Sequence, residues 1–229
     1  MKSATFAQKI TFILFLLGLL TTSSQLSAQN TALVYGDAIH LQNAWGDYTG
    51  GFLDTRGYDK EYEKTGNHLC VSTAISNKRA LGTGTWKVLS ATGKAIGTPV
   101  LLGDEIHLQN AWENYTGGYL DTRGTPAEFE KNNLGNLLCV STATSKERAP
   151  GSGTWKVTSA KGMTNGKPVT LNSDVHLQNA CENYTGGFLD IRGSQAAFKT
   201  TGNLNCVSTA TSATRDNGAS GTWKITISK

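Results

Sequence analysis

Short segments in which apolar and polar residues alternate with period two dominate the pattern of this chain. In residues 105–109, isoleucine and leucine fall on one face, and histidine and glutamine fall on the other. Residues 119–123 and 154–158 alternate in the same way, and residues 138–143 are β-branched and apolar. Because successive side chains of a strand point to opposite faces, these segments predict four short, half-buried strands bounded by glycine-rich turns.

This unit of four predicted strands is written three times along the chain, at a spacing of 67 to 69 residues. A self-similar period of this length is the signature of an internal structural repeat. The recurring phrases are Ile-His-Leu-Gln-Asn at 39–43 and 106–110, with Val for Ile at 175–179; Leu-Asp-Thr-Arg-Gly at 53–57 and 120–124, with Ile191 for Thr at 189–193; Cys-Val-Ser-Thr-Ala at 70–74, 139–143 and 206–210; and Gly-Thr-Trp-Lys at 84–87, 153–156 and 221–224.

No linker separates the copies, and about 67 residues are too few to bury a substantial core alone. We therefore expect one domain over residues 29–229, with repeats at about 33–99, 100–168 and 169–229 that share one core. Such a domain should unfold in one cooperative transition.

Three equivalent four-strand units resemble the β-trefoil fold. The phrases His-Leu-Gln-Asn, Leu-Asp-x-Arg-Gly and Gly-Thr-Trp-Lys look like those of the broad ricin-B and fascin-like group of trefoils over residues 36–229. The ricin-type Gln-x-Trp signature is replaced here by Gly-Thr-Trp-Lys. The resemblance implies an all-β trefoil and a lectin-type role. A triangular β-prism and a small propeller are the alternative architectures.

The first 28 residues are predicted to be a secretory signal peptide. Lys2 and Lys9 lie before an apolar run over residues 10–20, and a segment of small and polar residues then leads to Ala28. This is the order of a charged region, an apolar region and a cleavage site. The sequence thus predicts a secreted or periplasmic protein, cleaved near Ala28, with no membrane span.

Composition and net charge argue against a nucleic-acid-binding protein. Apolar residues make up 38% and charged residues 17% of the 229, and 26 are glycine. The formal net charge of +4 comes from 21 basic and 17 acidic residues without a basic cluster, so nucleic acid is not an expected partner.

Each repeat offers aromatic residues near a turn, next to an Asp-x-Arg pair. Flat rings stack on the C–H faces of a sugar, while carboxylates and guanidinium groups bond its hydroxyls. An ion pair within the strand is the structural alternative for each Asp-x-Arg. The candidate ligand-binding residues are Trp45, Tyr48, Asp54 and Arg56; Trp112, Tyr115, Asp121 and Arg123; and Tyr184, Asp190 and Arg192. The third copy has Cys181 where the others have tryptophan, so we expect unequal sites.

Other residues that recur in all three repeats are expected to have structural roles. Trp86, Trp155 and Trp223 are expected in the core, and the asparagines that end the first strand are expected to form turns. The three repeated histidines, His40, His107 and His176, are expected on the face opposite the core, too far apart to bind a metal ion. We expect no metal and no cofactor.

The cysteines offer one candidate disulfide. Cys70, Cys139 and Cys206 are equivalent, whereas Cys181 is unique and belongs to the same copy as Cys206. The Cys181–Cys206 pair is therefore the possible bridge within one copy, and four buried free thiols are the alternative.

The sequence predicts a non-enzymatic, lectin-like protein whose partners are glycans or glycoconjugates, with up to three sites. No catalytic constellation recurs with a distinctive local motif. A protein-binding module such as a protease inhibitor, or a purely structural secreted protein, is the alternative.

Overall fold

The protein, described by a computed structural model, is built of antiparallel β-strands. The structure describes residues 31–58, 60, 64–126, 135–146, 148–195, 198, 200–216 and 219–228. The predicted signal peptide lies outside these residues. Within them the strands are β1 Ala38–Asn43, β2 Phe52–Tyr58, β3 Asn67–Ala74, β4 Trp86–Ser90, β5 Glu105–Asn110, β6 Tyr119–Thr122, β7 Asn136–Ala143, β8 Trp155–Ser159, β9 Asp174–Asn179, β10 Phe188–Ile191, β11 Asn203–Ala210 and β12 Trp223–Ile227.

The strands form one continuous twelve-stranded sheet that closes on itself. A ring of ten strands runs in the order β11-β3-β2-β1-β12-β9-β8-β5-β6-β7, and pairing of β7 with β11 closes it. β4 and β10 are the two extra strands; β4 pairs with β1 and β5, and β10 pairs with β9 and β11. Closure of the sheet leaves few unpaired strand edges.

The expected β-trefoil of three four-strand repeats is therefore wrong, although the all-β class is right. The structure is a closed ten-stranded barrel with two additional strands. Each repeat's last strand pairs over five residues with the first strand of another repeat: β4 with β5, β8 with β9, and β12 with β1. Strand pairing follows edge geometry and burial, so the repeat boundaries in the sequence do not delimit separate sheets.

The three repeated tryptophans lie in the core, which confirms their prediction. Trp86, Trp155 and Trp223 are fully buried, and each indole Nε1 donates a hydrogen bond of 2.9 Å to the carbonyl of Leu53, Leu120 and Leu189, respectively. A buried indole N–H needs such an acceptor, so this bond fixes how the last strand of each repeat packs on its second strand. Residues 32–229 form one compact unit around this core.

A left-handed turn follows the first strand of each repeat. In the second copy, Glu113, Asn114 and Tyr115 have φ of 44°, 59° and 69°. Consecutive non-glycine residues in this region are strained. The fully buried Asn110 holds the turn, because its Oδ1 accepts from the Trp112 amide at 3.1 Å and its Nδ2 donates to the Thr83 carbonyl at 2.8 Å. The predicted turn-forming role of this asparagine and its equivalents, Asn43 and Asn179, is confirmed.

Glycine ends the turn because the chain passes close to a neighbouring strand. Gly118 has φ of 84°, and a Cβ atom there would lie 2.6 Å from the carbonyl oxygen of Ala143. No real Cβ atom comes that close to backbone, so only glycine allows β6 to start beside the end of β7.

Replacing Gly118 with alanine is predicted to lower the free energy of unfolding by about 3 kcal/mol, because positive φ and a backbone clash add. The matched control is Gly162→Ala, at φ of 72° with nothing within 4 Å of the new Cβ. It should cost about 1 kcal/mol. Urea denaturation measures both, and equal losses would contradict the close approach.

Candidate ligand-binding site

The repeated aspartates form buried cross-links to arginine and hydroxyl side chains. Asp121 is 0% exposed, and its Oδ1 accepts hydrogen bonds from Arg148 Nε at 3.0 Å and a terminal nitrogen at 2.7 Å. Its Oδ2 accepts from the Ser152 hydroxyl at 2.7 Å. Asp54 and Asp190 are held in the same way, by Arg79 with Thr83 and by Arg215 with Ser220, respectively. Burial raises the pKa of all three carboxyl groups, and the hydrogen-bonding arginine and hydroxyl oppose that rise.

The expectation that each aspartate forms an ion pair with the arginine two residues later is therefore wrong. In the first repeat the pairing of β2 with β3 shifts register between Thr55 and Tyr58. In the other two repeats β6 and β10 end at Thr122 and Ile191, before the arginine. Strict alternation is lost at this point, so the aspartate and the arginine of one phrase point to different places.

The three arginines instead line one small cavity, called the central cavity below because each repeat contributes equivalent residues to it. Their shared cavity, of about 30 Å³, is lined by Arg56, Arg123 and Arg192 together with Cys70, Cys139 and Cys206. In the second and third repeats, backbone hydrogen bonds tie each arginine to its cysteine: Arg123 N donates to Cys139 O and Arg192 N to Cys206 O, both at 3.0 Å.

The repeated tyrosines clamp the left-handed turns onto neighbouring strands. Lysines lie over their rings: Lys224 over Tyr48, Lys87 over Tyr115 and Lys156 over Tyr184. The Tyr48 hydroxyl donates to Asp174 at 2.8 Å, and the Tyr184 hydroxyl donates to Glu105. Burial, with Asp174, raises the pKa of Tyr48 to about 12; the hydrogen bond to Glu105, with burial, raises that of Tyr184 to about 12. These half-buried rings therefore pack against neighbouring strands.

Trp112 is an aromatic candidate residue that lines a larger cavity, together with the candidate Arg56. The cavity has a volume of about 250 Å³ and lies where the second repeat meets the first; its walls include Tyr58, Leu69, Arg56 and Arg79. Trp45, at the equivalent turn position of the first repeat, is 47% exposed and does not line any of the four cavities described in this section.

Tyr58 and His68, which were not among the candidate residues, lie beside Trp112 at this site. The His68 ring centroid lies 5.9 Å from that of Tyr58 and 6.4 Å from that of Trp112, so the three rings form one aromatic cluster. Tyr58 is 45% exposed. The sequence carried one signal for His68: it is the histidine without a counterpart in the other repeats.

The other two repeat junctions lack this aromatic set. Where the first junction has Tyr58, His68 and Trp112, the second has Thr125, Leu137 and Cys181, and the third has Ser194, Leu204 and Trp45. The three junctions therefore differ in composition, and the residues that distinguish them come from two neighbouring repeats. Unequal binding by the three repeats stays a prediction.

The Cys181–Cys206 disulfide is not present. None of the four cysteines takes part in a disulfide bond. Cys206 lines the central cavity, whereas Cys181 lies close enough to Asp121 and Arg148 to feel their charges. Burial raises the pKa of the Cys181 thiol, and the nearby carboxylates of Glu182 and Asp121 add to this.

The repeated histidines are buried, which corrects their expected place away from the core. Each ring nitrogen Nδ1 lies 2.8 or 2.9 Å from a glycine carbonyl: His40 from Gly84, His107 from Gly153 and His176 from Gly221. Across the described residues, no group of three or more His, Cys, Asp or Glu side chains is placed to hold a metal ion.

No family model and no curated protein sequence matches this chain. Solved structures do resemble its fold. A Caenorhabditis elegans protein of unknown function is 18% identical, with a TM-score of 0.61 over 88% of this chain and 98% of its own. The SDF2-like protein of Arabidopsis thaliana is 19% identical, with a TM-score of 0.60 over 85% and 94%. The Saccharomyces cerevisiae protein O-mannosyltransferase Pmt1-Pmt2 complex, bound to the sugar donor, is 15% identical, with a TM-score of 0.59 over 90% of this chain and 26% of that one.

These similarities correct the resemblance drawn from the repeated phrases. The neighbours in fold are SDF2-like proteins and a mannosyltransferase domain, not ricin-B or fascin-like β-trefoil lectins. The repeated phrases encode the buried asparagine, aspartate, histidine and tryptophan contacts, so they report packing and not a lectin signature. Among the described residues, no helix is long and apolar enough to cross a membrane.

Replacing Asp121 with asparagine is predicted to lower the free energy of unfolding by about 3 kcal/mol, because the Arg148 side chain, only 21% exposed, loses its counter-charge. Asp47→Asn is the matched control: Asp47 is exposed, and asparagine occupies its position in the other repeats as Asn114 and Asn183. The control should change stability by less than about 0.5 kcal/mol. Chemical denaturation measures the free energy of unfolding of both variants. Similar losses of stability in the two would contradict a stabilising role of the Asp121–Arg148 cross-link.

Thiol counting on the unfolded, unreduced protein is predicted to find four reactive thiols, since none of the four cysteines takes part in a disulfide bond. A count of two would show that a disulfide forms and would contradict the structure at Cys181 or at the central cavity.

Proposed function

We propose that this is an exported, non-enzymatic carbohydrate-binding protein whose principal site is the cavity beside Trp112. The observation that carries the proposal is the aromatic cluster of Tyr58, His68 and Trp112 at a cavity of about 250 Å³ that two arginines also line.

The site combines the two contacts that a saccharide needs. The Trp112 ring and the Tyr58 ring supply apolar faces for sugar C–H groups, and burial of such surface is favourable. Arg56 lines the same cavity, and its guanidinium carbon lies 5.0 Å from the centroid of the Phe198 ring. Its guanidinium N–H groups are the donors that we propose for sugar hydroxyl oxygens. Arg79 also lines it, but its guanidinium is bound to Asp54 and the Thr55 carbonyl, so it fixes the cavity wall.

The volume limits the ligand to one or two sugar units within the cavity, since ligand cavities of drug-sized molecules begin at about 300 Å³. Longer chains would extend over the exposed Tyr58 ring. The fold neighbour that is bound to a sugar donor is in keeping with this proposal, but at 15% identity the likeness concerns the fold alone.

Replacing Trp112 with alanine is predicted to weaken glycan binding by about tenfold or more, because the principal stacking surface is lost. A glycan array identifies the ligand, and calorimetric titration of the wild-type and variant proteins measures the loss. Trp45→Ala is the matched control, since it removes the same side chain at a junction that has Ser194 and Leu204 in place of Tyr58 and His68.

A second variant tests the site in case Trp112→Ala does not fold. His68→Leu introduces the residue found at both equivalent positions, Leu137 and Leu204, so the fold should tolerate it while the aromatic cluster loses one ring. Weaker binding in His68→Leu and Trp112→Ala, with Trp45→Ala unchanged, supports the site. Equal losses in both tryptophan variants, or binding unchanged in His68→Leu, would refute it.

Protein binding is the second candidate, and one observation favours it. Leu81, on the loop between β3 and β4, is 86% exposed beside a cavity of about 440 Å³ that Lys78, Arg79 and His40 also line. An exposed leucine beside a concave surface suits insertion into a partner's pocket. Absence of any glycan ligand on the array, together with a partner whose binding is lost on Leu81→Ser, would favour this function over carbohydrate binding.

A further inference from the structure

The cavity of about 440 Å³ beside β1 is the largest of the four described above, and carbohydrate binding beside Trp112 does not use it. Its volume lies in the range of small-molecule binding sites. The loop between β3 and β4 forms one wall, and the His40 ring, Thr85 and Ser228 contribute to the others. Among the described residues that line it, none is a carboxylate.

The His40 ring is held so that one nitrogen remains for a ligand. The residue is only 4% exposed, its ring packs edge-on against Phe52 with centroids 6.4 Å apart, and Nδ1 lies 2.8 Å from the Gly84 carbonyl oxygen. A carbonyl oxygen only accepts, so Nδ1 carries the proton and donates it. Nε2 of the neutral ring is then an acceptor, and none of the described residues hydrogen-bonds to it.

A buried acceptor that lines a cavity without a protein partner indicates a donor supplied by a ligand. Two hydroxyl groups lie on the same cavity wall: Thr85 Oγ1 and Ser228 Oγ are 3.4 Å apart. Each can donate or accept, which suits a ligand that carries several hydroxyl groups.

The charge of the cavity favours an acidic ligand. Lys78 is exposed on the loop and also lines the cavity, where it supplies a positive charge. Arg79 lines it too, but its guanidinium is bound to Asp54 and to the Thr55 carbonyl. Lys78 is therefore the cation that we assign to a ligand carboxylate.

This combination of side chains occurs once among the three repeats. Alanine replaces Ser228 at the equivalent positions, 91 and 160, and Lys78 is replaced by Glu147 and Thr214. His176 makes the same Nδ1 contact, with the Gly221 carbonyl, but lines none of the four described cavities. Differences between the repeats, and not the threefold scaffold, therefore create the site.

We propose that this cavity binds a hydroxyl-bearing carboxylate of the sugar-acid class, either free or as one unit of an acidic glycan. One ligand hydroxyl donates to His40 Nε2, neighbouring hydroxyls bond Thr85 and Ser228, and the carboxylate lies against Lys78. The proposal does not rest on the site beside Trp112, because the two cavities share only Arg79 and Ala80 in their walls.

The experiment is a calorimetric titration of the purified protein with sodium glucuronate at low ionic strength. Glucose lacks the carboxylate, sodium acetate lacks the hydroxyl groups, and sodium chloride at matched ionic strength is the salt control. Saturable binding of glucuronate at one site per chain is expected, with glucose and acetate each at least about tenfold weaker. Oligomers of glucuronate that bind more tightly than the monomer would identify an acidic glycan as the source, and equal affinity would identify the free acid.

Repeating the titration with Trp112→Ala separates the two cavities. Glucuronate binding that persists in this variant belongs to the His40 cavity, whatever the variant does to neutral glycans. Loss of glucuronate binding in Trp112→Ala would assign the ligand to the aromatic cluster and overturn the proposal.

His40→Asn removes Nε2 but keeps an amide donor for the Gly84 carbonyl, and should weaken glucuronate binding by about tenfold or more. His176→Asn is the matched control, since it makes the same change at the same backbone contact, beside Phe188 in place of Phe52, and should bind as the wild type does.

Two further variants carry residues that the other repeats already have, so the fold should tolerate them. Ser228→Ala should weaken glucuronate binding severalfold. Lys78→Thr should weaken glucuronate binding and leave the affinity for glucose unchanged, since only the carboxylate needs the ammonium group.

Unchanged binding in His40→Asn, equal weakening in His176→Asn, or a heat signal that chloride reproduces would overturn the site. If His40→Asn does not fold, Ser228→Ala and Lys78→Thr decide, and wild-type affinity for glucuronate in both would overturn it.

Discussion

The three longest strands, β3, β7 and β11, each pair with the other two, and this mutual pairing organises the rest of the barrel. Three strands that meet pairwise around one axis place equivalent residues of all three repeats at the same level. The repeated cysteines line one central cavity for this reason, and the arginines that are hydrogen-bonded to the same strands join them. In a barrel closed in this way, the third strand of each repeat needs the third strands of both other repeats as hydrogen-bonding partners.

The phrase Leu-Asp-x-Arg-Gly serves two different purposes because the strand does not remain regular across it. Its leucine carbonyl accepts from the buried indole, and its aspartate holds an arginine about 25 residues further along the same repeat. Such a buried pair is costly to break once formed, since one charge would remain without its partner. Past the aspartate the strand ends or shifts register, and the arginine lines the small central cavity instead of pairing with that aspartate.

The symmetry of the chain is broken at the contacts between repeats. The turn tryptophan of one repeat lies against the second and third strands of the preceding one, so each junction combines substitutions from two copies. Trp112 meets both Tyr58 and His68, whereas Cys181 and Trp45 face junctions without those rings. Small differences between near-identical copies thus produce one aromatic cavity on a threefold scaffold.

The sequence by itself determined the all-β class, the positions of the strands, the buried tryptophans and the turn-forming asparagines, because period-two alternation and turn residues act locally. Strand pairing depends on contacts between distant parts of the chain, and these contacts close the sheet as a barrel instead of three separate four-strand units. Whether Asp54 faces Arg56 or Arg79, and whether Cys181 lies near Cys206, depends on register shifts and on contacts between repeats. Local patterning cannot encode these, because a register shift of one residue moves a side chain to the other face of the sheet.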